Sequence, residues 1–549
     1  LELLAEQGRV ILSDLEQRRS AGQHMLVESA ARAYDGKELP PDVLVRARQM
    51  VSDYRDTDRR IESLRLRLPA VLARIDDAEM KQHGEEMVRA VVADLNRNTV
   101  NRLAAFELFS TVESTSAETL IAMAVSGWLL GGENSIENIS DTWGLFRARQ
   151  LVIDYATTAE QNSVQRFEII DRLKSLEGVT VERLSHLIRQ LPAFDPPAME
   201  PVPVAGGTAG LFRIPGTTTM TGCLGLVPPE YSDARTYPLV VVFPPRGITP
   251  EAVVRDWWMN EACRRGYIVV VPDLYDATTE EYDASAEQHR SVLQLMRLLR
   301  MSLRIDDDRV FIAGHGLGGE VAVDLCLSHS DQFAGMVSLG GMGRRHSNLA
   351  AENFPSVAGY FVVGDQQVQW RDRLESLIVQ LLRRTENREY RDVTICVYPA
   401  YGFDRFANEA RDVFEWMGVH ARTRYPEIVD VQLMRSTDTS WAWLQIGEIP
   451  EKFRSLEQPS TWDATPESKM AQVAIRRGGN SFWLTSVAST SRLLISPEIP
   501  EFDPGKPVVF NMAGRRRSIG YQPEIAHLLE EFYRTGDRSR LCFMRIDVK

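Results

Sequence analysis

Cysteine is scarce in this chain. Five residues, Cys223, Cys263, Cys326, Cys396 and Cys542, are scattered over 549 positions. That excludes a disulfide scaffold or a cysteine-based zinc knuckle. Lysine is scarcer still in proportion, seven of 63 basic residues, so 56 are arginine. This reflects either coding composition or arginine-rich contact surfaces, since arginine pairs bidentately with carboxylates. Basic charge is itself in deficit: 63 basic against 76 acidic residues give a net charge of −13. Nucleic acid is therefore excluded as an expected partner. No run approaches the ~18 consecutive apolar residues of a membrane-spanning helix. The best candidate, Leu120–Leu130, is short and is interrupted by Ser126. There is no HExxH, no P-loop and no GxGxxG in a dinucleotide-binding context, so neither metal nor cofactor is expected. The sequence opens on Leu1 rather than Met. It is therefore read as a fragment or a processed chain, and if a signal segment preceded Leu1 the leaning is extracytoplasmic, periplasmic or secreted.

What is present is ordinary globular composition, 44% hydrophobic and 25% charged, at a length that suits several domains. Residues 1–195 read as successive helices, with apolar residues at three- and four-residue steps in Val43–Leu68 and Met87–Leu108. Residues 196–207 read as a linker. Leu191–Pro203 holds five prolines, Gly206-Gly207 follows, and proline lacks the N–H that regular structure uses. Residues 208–424 alternate short β-branched runs with amphipathic helices. The runs are Leu239–Phe243, Tyr267–Val271, Val310–Ala313, Met336–Leu339, Tyr360–Val363 and Val393–Val397. This predicts a mostly parallel sheet covered on both faces. Residues 425–549 read as a β-rich, sandwich-like domain with one helix at Pro523–Tyr533. Trp441, Trp443, Phe482 and Trp483 are expected in its core or in packing against a neighbouring domain.

The chemistry should sit at Val310-Phe311-Ile312-Ala313-Gly314-His315-Gly316-Leu317-Gly318-Gly319. A buried strand runs through a Gly-rich turn into a helix. That is the setting of the nucleophile elbow, G-x-S-x-G. The serine position is Gly316.

With these residues in view, 208–424 resembles an α/β-hydrolase of the dienelactone-hydrolase and prolyl-oligopeptidase-like type. Tyr237–Phe243, Gly266–Asp273 and Asp307–Val310 match that family's strand openings. The layout as a whole resembles planctomycete (bacterial) hydrolase-like proteins that often lack the elbow serine. The resemblance implies an acid after the strand ending at Gly364. The aligned residue is Gln367, with Asp365 nearby as an alternative or as the cap of the turn. It implies a histidine in the stretch Tyr398–Asp404, where the slot falls on Tyr401 or Phe403. It implies an oxyanion hole from Leu317 N–H and a donor in the loop Pro244-Pro245-Arg246, two residues of which have no N–H.

The expectation is a pseudohydrolase whose triad positions Gly316, Gln367, Tyr401 and Phe403 are degenerate. Its role would be binding, assembly or structure, with a protein partner or by self-assembly. Arg246, Asp273, His315, Leu317, Asp365 and Asp404 are candidates to line a pocket. One competing expectation is an esterase or peptidase using His315 and Asp365 in an unconventional site. Another is a ligand- or polysaccharide-binding module in the β-rich tail. Cys326 is expected as a small buried hydrophobe. A metal set of His315, Asp273 and Asp404 has no support from spacing, and Asp306-Asp307-Asp308 is expected as a solvated turn.

Overall fold

The structure, a computed structural model, describes residues 2–205, 207–275, 282–343, 353, 357–383, 392–435, 437–447, 449–450, 470–486, 488, 490–512 and 514–548. The chain divides into two compact units. One comprises residues 1–196, 230–236 and 523–541, and the other residues 197–229, 237–522 and 542–549.

The first unit is helical. Its helices start where the sequence offers side-chain acceptors: Asp77 accepts from Met80 N–H, Ser116 from Thr119 N–H and Thr180 from Arg183 N–H. The apolar segment is the helix Ala117–Leu130, buried from Leu120 to Leu130 in this unit's interior. Among the described residues no helix is long and apolar enough to cross a membrane. The helix expected at Pro523–Tyr533 forms as Ile525–Thr535. It belongs to this unit, where Tyr533 donates to Thr158 O (2.9 Å) and Phe532 meets Phe194 edge-on. The segment 425–549 is thus not one domain, because 523–541 leaves it.

Among the described residues the second unit carries three sheets. Among the described residues the largest has nine strands: β1 (Glu200–Val204), β2 (Gly207–Ile214), β3 (Cys223–Val227), β4 (Tyr237–Phe243), β5 (Ile268–Pro272), β6 (Ile305–His315), β7 (Gly335–Leu339), β8 (Ala358–Gly364) and β9 (Val393–Tyr398). Their order is β1-β2-β3-β5-β4-β6-β7-β8-β9. From β5 across to β9 every pairing is parallel, while β1, β2 and β3 join antiparallel. The continuous apolar runs of β4, β5, β7 and β8 are buried along their whole length, as a sheet covered on both faces requires.

Two sequence expectations are corrected here. Residues 200–204 of the expected linker form β1. Pro201 and Pro203 are exposed on this edge strand while Val202 is buried. Prolines two apart remove donors on one side of a strand only, the outer side of an edge. Asp306-Asp307-Asp308 is not a solvated turn but the start of β6. Asp307 is buried against Arg300 (2.9 Å), and Asp308 accepts from Arg422 (3.2 Å) and from Arg424.

The remaining strands are β10 (Ile428–Leu433), β11 (Ser440–Trp441), β12 (Leu444–Ile446), β13 (Ala471–Gly478), β14 (Ser481–Ser486), β15 (Ser491–Ile495), β16 (Val508–Met512), β17 (Arg515–Ile519) and β18 (Met544–Val548). They form two sheets, β10-β13-β14-β16-β17 and β11-β12-β15-β18. Both sheets bury residues in one shared core, which includes Trp441, Trp443 and Phe482. Trp483 departs from the expectation: it is 47% exposed.

Candidate functional site

The site builds from the junction of β6 with the helix Leu317–Ser328. Gly316 joins them at φ +55°, ψ −116°, a left-handed region that L-residues avoid. The flanking glycines are required by close approach. A Cβ on Gly314 would meet Gly318 O at 1.9 Å, and one on Gly318 would meet Phe243 O at 2.1 Å. The strand-turn-helix geometry that presents a nucleophile is therefore complete in backbone. β6 lies beside β4, where the strand order doubles back, the place where open α/β sheets form a crevice beyond the strand ends.

Two side chains flank the point above Gly316. A Cβ added to Gly316 would meet the Phe403 ring at 3.0 Å and Pro245 Cβ at 3.6 Å. Phe403, one of the two residues aligned with the family's histidine, thus lies over the point where a nucleophile's side chain would stand. The loop carrying it is unusual in backbone: Ala400 (φ +63°) and Phe406 (φ +50°) are both left-handed without being glycine.

Gln367, in the acid slot, is buried. Its Nε2 donates to Gly340 O (3.3 Å) and its Oε1 accepts from Gly364 N–H (3.1 Å). Both ends of the amide are used in bracing backbone. Asp365 accepts from Ala400 N–H at 2.8 Å, and Gln366 N–H donates to Tyr401 O at 2.9 Å. These bonds fasten the turn after β8 to the loop after β9. Tyr401 is 44% exposed and stacks edge-on against Tyr398. Asp404 accepts from Phe406 N–H two residues on (2.8 Å), a local turn bond.

His315 is turned away from this group. Trp258 Nε1 donates to its Nε2 at 3.3 Å, and the Trp257 ring packs edge-on at 4.5 Å. Burial alone pushes the imidazole down to about 3, so it is neutral, with its proton on an Nδ1 that has no hydrogen-bond partner. It borders a cavity of about 40 Å³ shared with Trp257, Trp258, Leu339 and Phe406.

The other candidates are dispersed. Asp273 is exposed and lies 3.7 Å from Arg213. Arg246 is exposed in the turn after β4. Leu317 opens the helix, where first-turn N–H groups have no partner within the helix. Across the crevice the Pro244 carbonyl accepts from the Tyr275 hydroxyl. Cys326 is fully buried with its thiol pushed well up by burial, as a small core residue. Structure therefore gathers Gly316, Gln367 and Phe403 around Gly340, and does not bring His315, Asp273 and Asp404 into one group.

Sequence reasoning missed a second cluster, Tyr282, His289, Asp324, His329, Arg435 and Asp438. All six are buried. Its members are spread over more than 150 positions, so no local spacing signals them.

No protein-family model matches this chain and no curated protein sequence matches it. Solved structures that it resembles include an S-formylglutathione hydrolase from Agrobacterium tumefaciens. That pair is 15% identical over 40% of this chain and 97% of the other, with a TM-score of 0.33. They also include a ferulic acid esterase, 12% identical over 38% and 96%, TM-score 0.33. A third is an S-formylglutathione hydrolase from Staphylococcus aureus, 13% identical over 40% and 98%, TM-score 0.30. The larger unit is α/β-hydrolase-like in its mostly parallel nine-stranded sheet, with the two further β-sheets appended.

Proposed function

We propose that this protein is a pseudohydrolase: its α/β-hydrolase frame performs no triad hydrolysis, and it acts by binding or assembly, with a protein partner or with itself. The observation that carries the reading is the Phe403 ring lying over Gly316. Triad chemistry needs a nucleophile, a base to take its proton and an acid to orient the base. The three slots hold a glycine, an aromatic ring and an amide already bonded at both ends. Removing one member of a triad typically leaves only ~10³–10⁴-fold over water, from the oxyanion hole and binding. Here the loop that would supply a hole donor begins Pro244-Pro245, and proline has no N–H to give.

The full chain is expected to hydrolyse p-nitrophenyl acetate and butyrate no faster than heat-denatured protein. Turnover above that level, abolished by His315→Asn or Asp365→Asn, would instead establish a hydrolase with an unconventional site.

One observation favours a specific binding surface within this reading. Strand register places Ile428, Arg476, Trp483, Asn511 and Arg516 in one row across β10, β13, β14, β16 and β17. An exposed indole flanked by arginine and an amide suits a polysaccharide, whose sugar faces stack on aromatics while hydroxyls take hydrogen bonds. Retention on an insoluble polysaccharide column, lost in Trp483→Ala, would support it.

A further inference from the structure

The second buried cluster lies within the larger unit, where the α/β part meets the strands that follow it. His289 comes from the helix Ala286–Ser302, Asp324 from the helix Leu317–Ser328, and His329 directly follows the latter. Arg435 and Asp438 follow β10. Asp324 Oδ2 is 3.0 Å from His289 Nε2 and is paired with Arg435. Arg435 also donates to Ala284 O (2.7 Å) and Ser328 Oγ (2.8 Å). The Tyr282 hydroxyl is 2.8 Å from His289 Nε2. Asp438 Oδ2 accepts from the Met434 and Arg435 N–H groups at 3.2 and 3.0 Å.

Proton positions follow from these partners. Asp324 is a carboxylate held by arginine, so His289 carries its proton on Nε2 and turns a lone pair outward on Nδ1. That Nδ1 is 3.2 Å from His329 Nε2. Asp438 Oδ1 is 3.9 Å from His329 Nε2 and has no hydrogen-bond partner. A buried carboxylate oxygen left so is costly. Among the described residues, His289, His329 and Asp438 form a group in which one ligand atom from each lies within 4.8 Å of the others.

We propose that His289, His329 and Asp438 bind a divalent transition-metal ion of the zinc type. Two imidazole nitrogens 3.2 Å apart match the spacing set by two Zn–N bonds of ~2.0–2.1 Å at a tetrahedral angle. The Asp324–His289 bond is the outer carboxylate contact that orients a ligating imidazole and raises its basicity. Two nitrogens and one oxygen select zinc-like ions over calcium or magnesium, which take oxygen sets. The ion supplies a second cation beside Asp438, whose Oδ2 lies 3.9 Å from Arg435, and ties the two helices to the chain beyond β10. Its role is structural, and it stands independently of the pseudohydrolase reading.

The test uses the full chain, loaded with zinc, passed over a chelating resin and analysed for metal by mass spectrometry. Wild type is expected to retain about one zinc per chain, with a Tm that rises on zinc addition. His329→Gln and Asp438→Asn are expected to lose both the metal and the response. Wild type that retains no zinc after loading overturns the proposal whether or not the variants fold. The cluster is then a metal-free network in which His329 Nε2–H donates to His289 Nδ1. Retention unchanged in both variants overturns it equally.

Discussion

At the scale of single residues, the elbow turns on what stands at 316. At φ +55° and ψ −116° a glycine is unstrained, whereas a side chain there costs about 1–3 kcal/mol. Gly316→Ser is therefore expected to lower unfolding stability by about 1–3 kcal/mol and to gain no esterase activity. The backbone term should dominate. Phe403, which a new Cβ would meet at 3.0 Å, is 54% exposed and need give by only a few tenths of an ångström. Paired urea titrations and ester assays check both parts.

His315 gives a pH prediction. Its folded value of about 3 lies below the ordinary 6.5, so the unfolded chain binds a proton that the folded chain refuses. Stability from the neutral, buried ring is full above about pH 6.5 and is lost as pH falls toward 3. The slope reaches up to about 1.4 kcal/mol per pH unit. His315→Gln should flatten that part of the stability profile, measured by denaturant midpoints between pH 7 and pH 4. An unchanged profile would place a charge on His315 in the folded state. The absence of serine at 316 and the amide at 367 were legible from the residues themselves. The Phe403 ring over Gly316 was not, because it depends on a loop with left-handed Ala400 and Phe406 that no residue type announces.

At the scale of elements, periodicity worked at four central strands and passed over β3, which is equally buried. β4, β5, β7 and β8 read as continuous apolar runs and are strands buried throughout. It failed at two edge strands, β1 and β17, although the edge strand β9 was expected as Val393–Val397. β1 is built on Pro201 and Pro203, and β17 is the fully exposed Arg-Arg-Arg-Ser-Ile. Neither has an inward pattern strong enough to outweigh its composition. Charge misled in the same way at Asp306–Asp308, whose partners Arg300, Arg422 and Arg424 come from other elements.

The most consequential of these pairings joins β10's continuation to the helix after the elbow. Arg435 is completely buried against Asp324. Arg435→Met removes that cation and leaves a carboxylate desolvated. A loss of about 3–5 kcal/mol is expected, read as a lowered urea midpoint with an unchanged slope. A change within about 0.5 kcal/mol, the range of an ordinary surface substitution, would mean that the pair contributes nothing to holding these elements together.

At the scale of the molecule, sequence texture divided the chain near residues 200 and 425, but chain order is not domain order. Residues 523–541 return to the helical unit, a long-range closure that a pass along the sequence has no means of seeing. The frame around the elbow has the contacts that require Gly314 and Gly318, and the positions expected to use it hold Gly316, Gln367, Tyr401 and Phe403. As proposed above, this frame presents no nucleophile. The most direct test is a fluorophosphonate probe on the native full chain, read by intact mass. An unmodified mass is expected under conditions that fully label an active serine hydrolase. A single stoichiometric adduct, formed by the native chain and lost on denaturation, would contradict it.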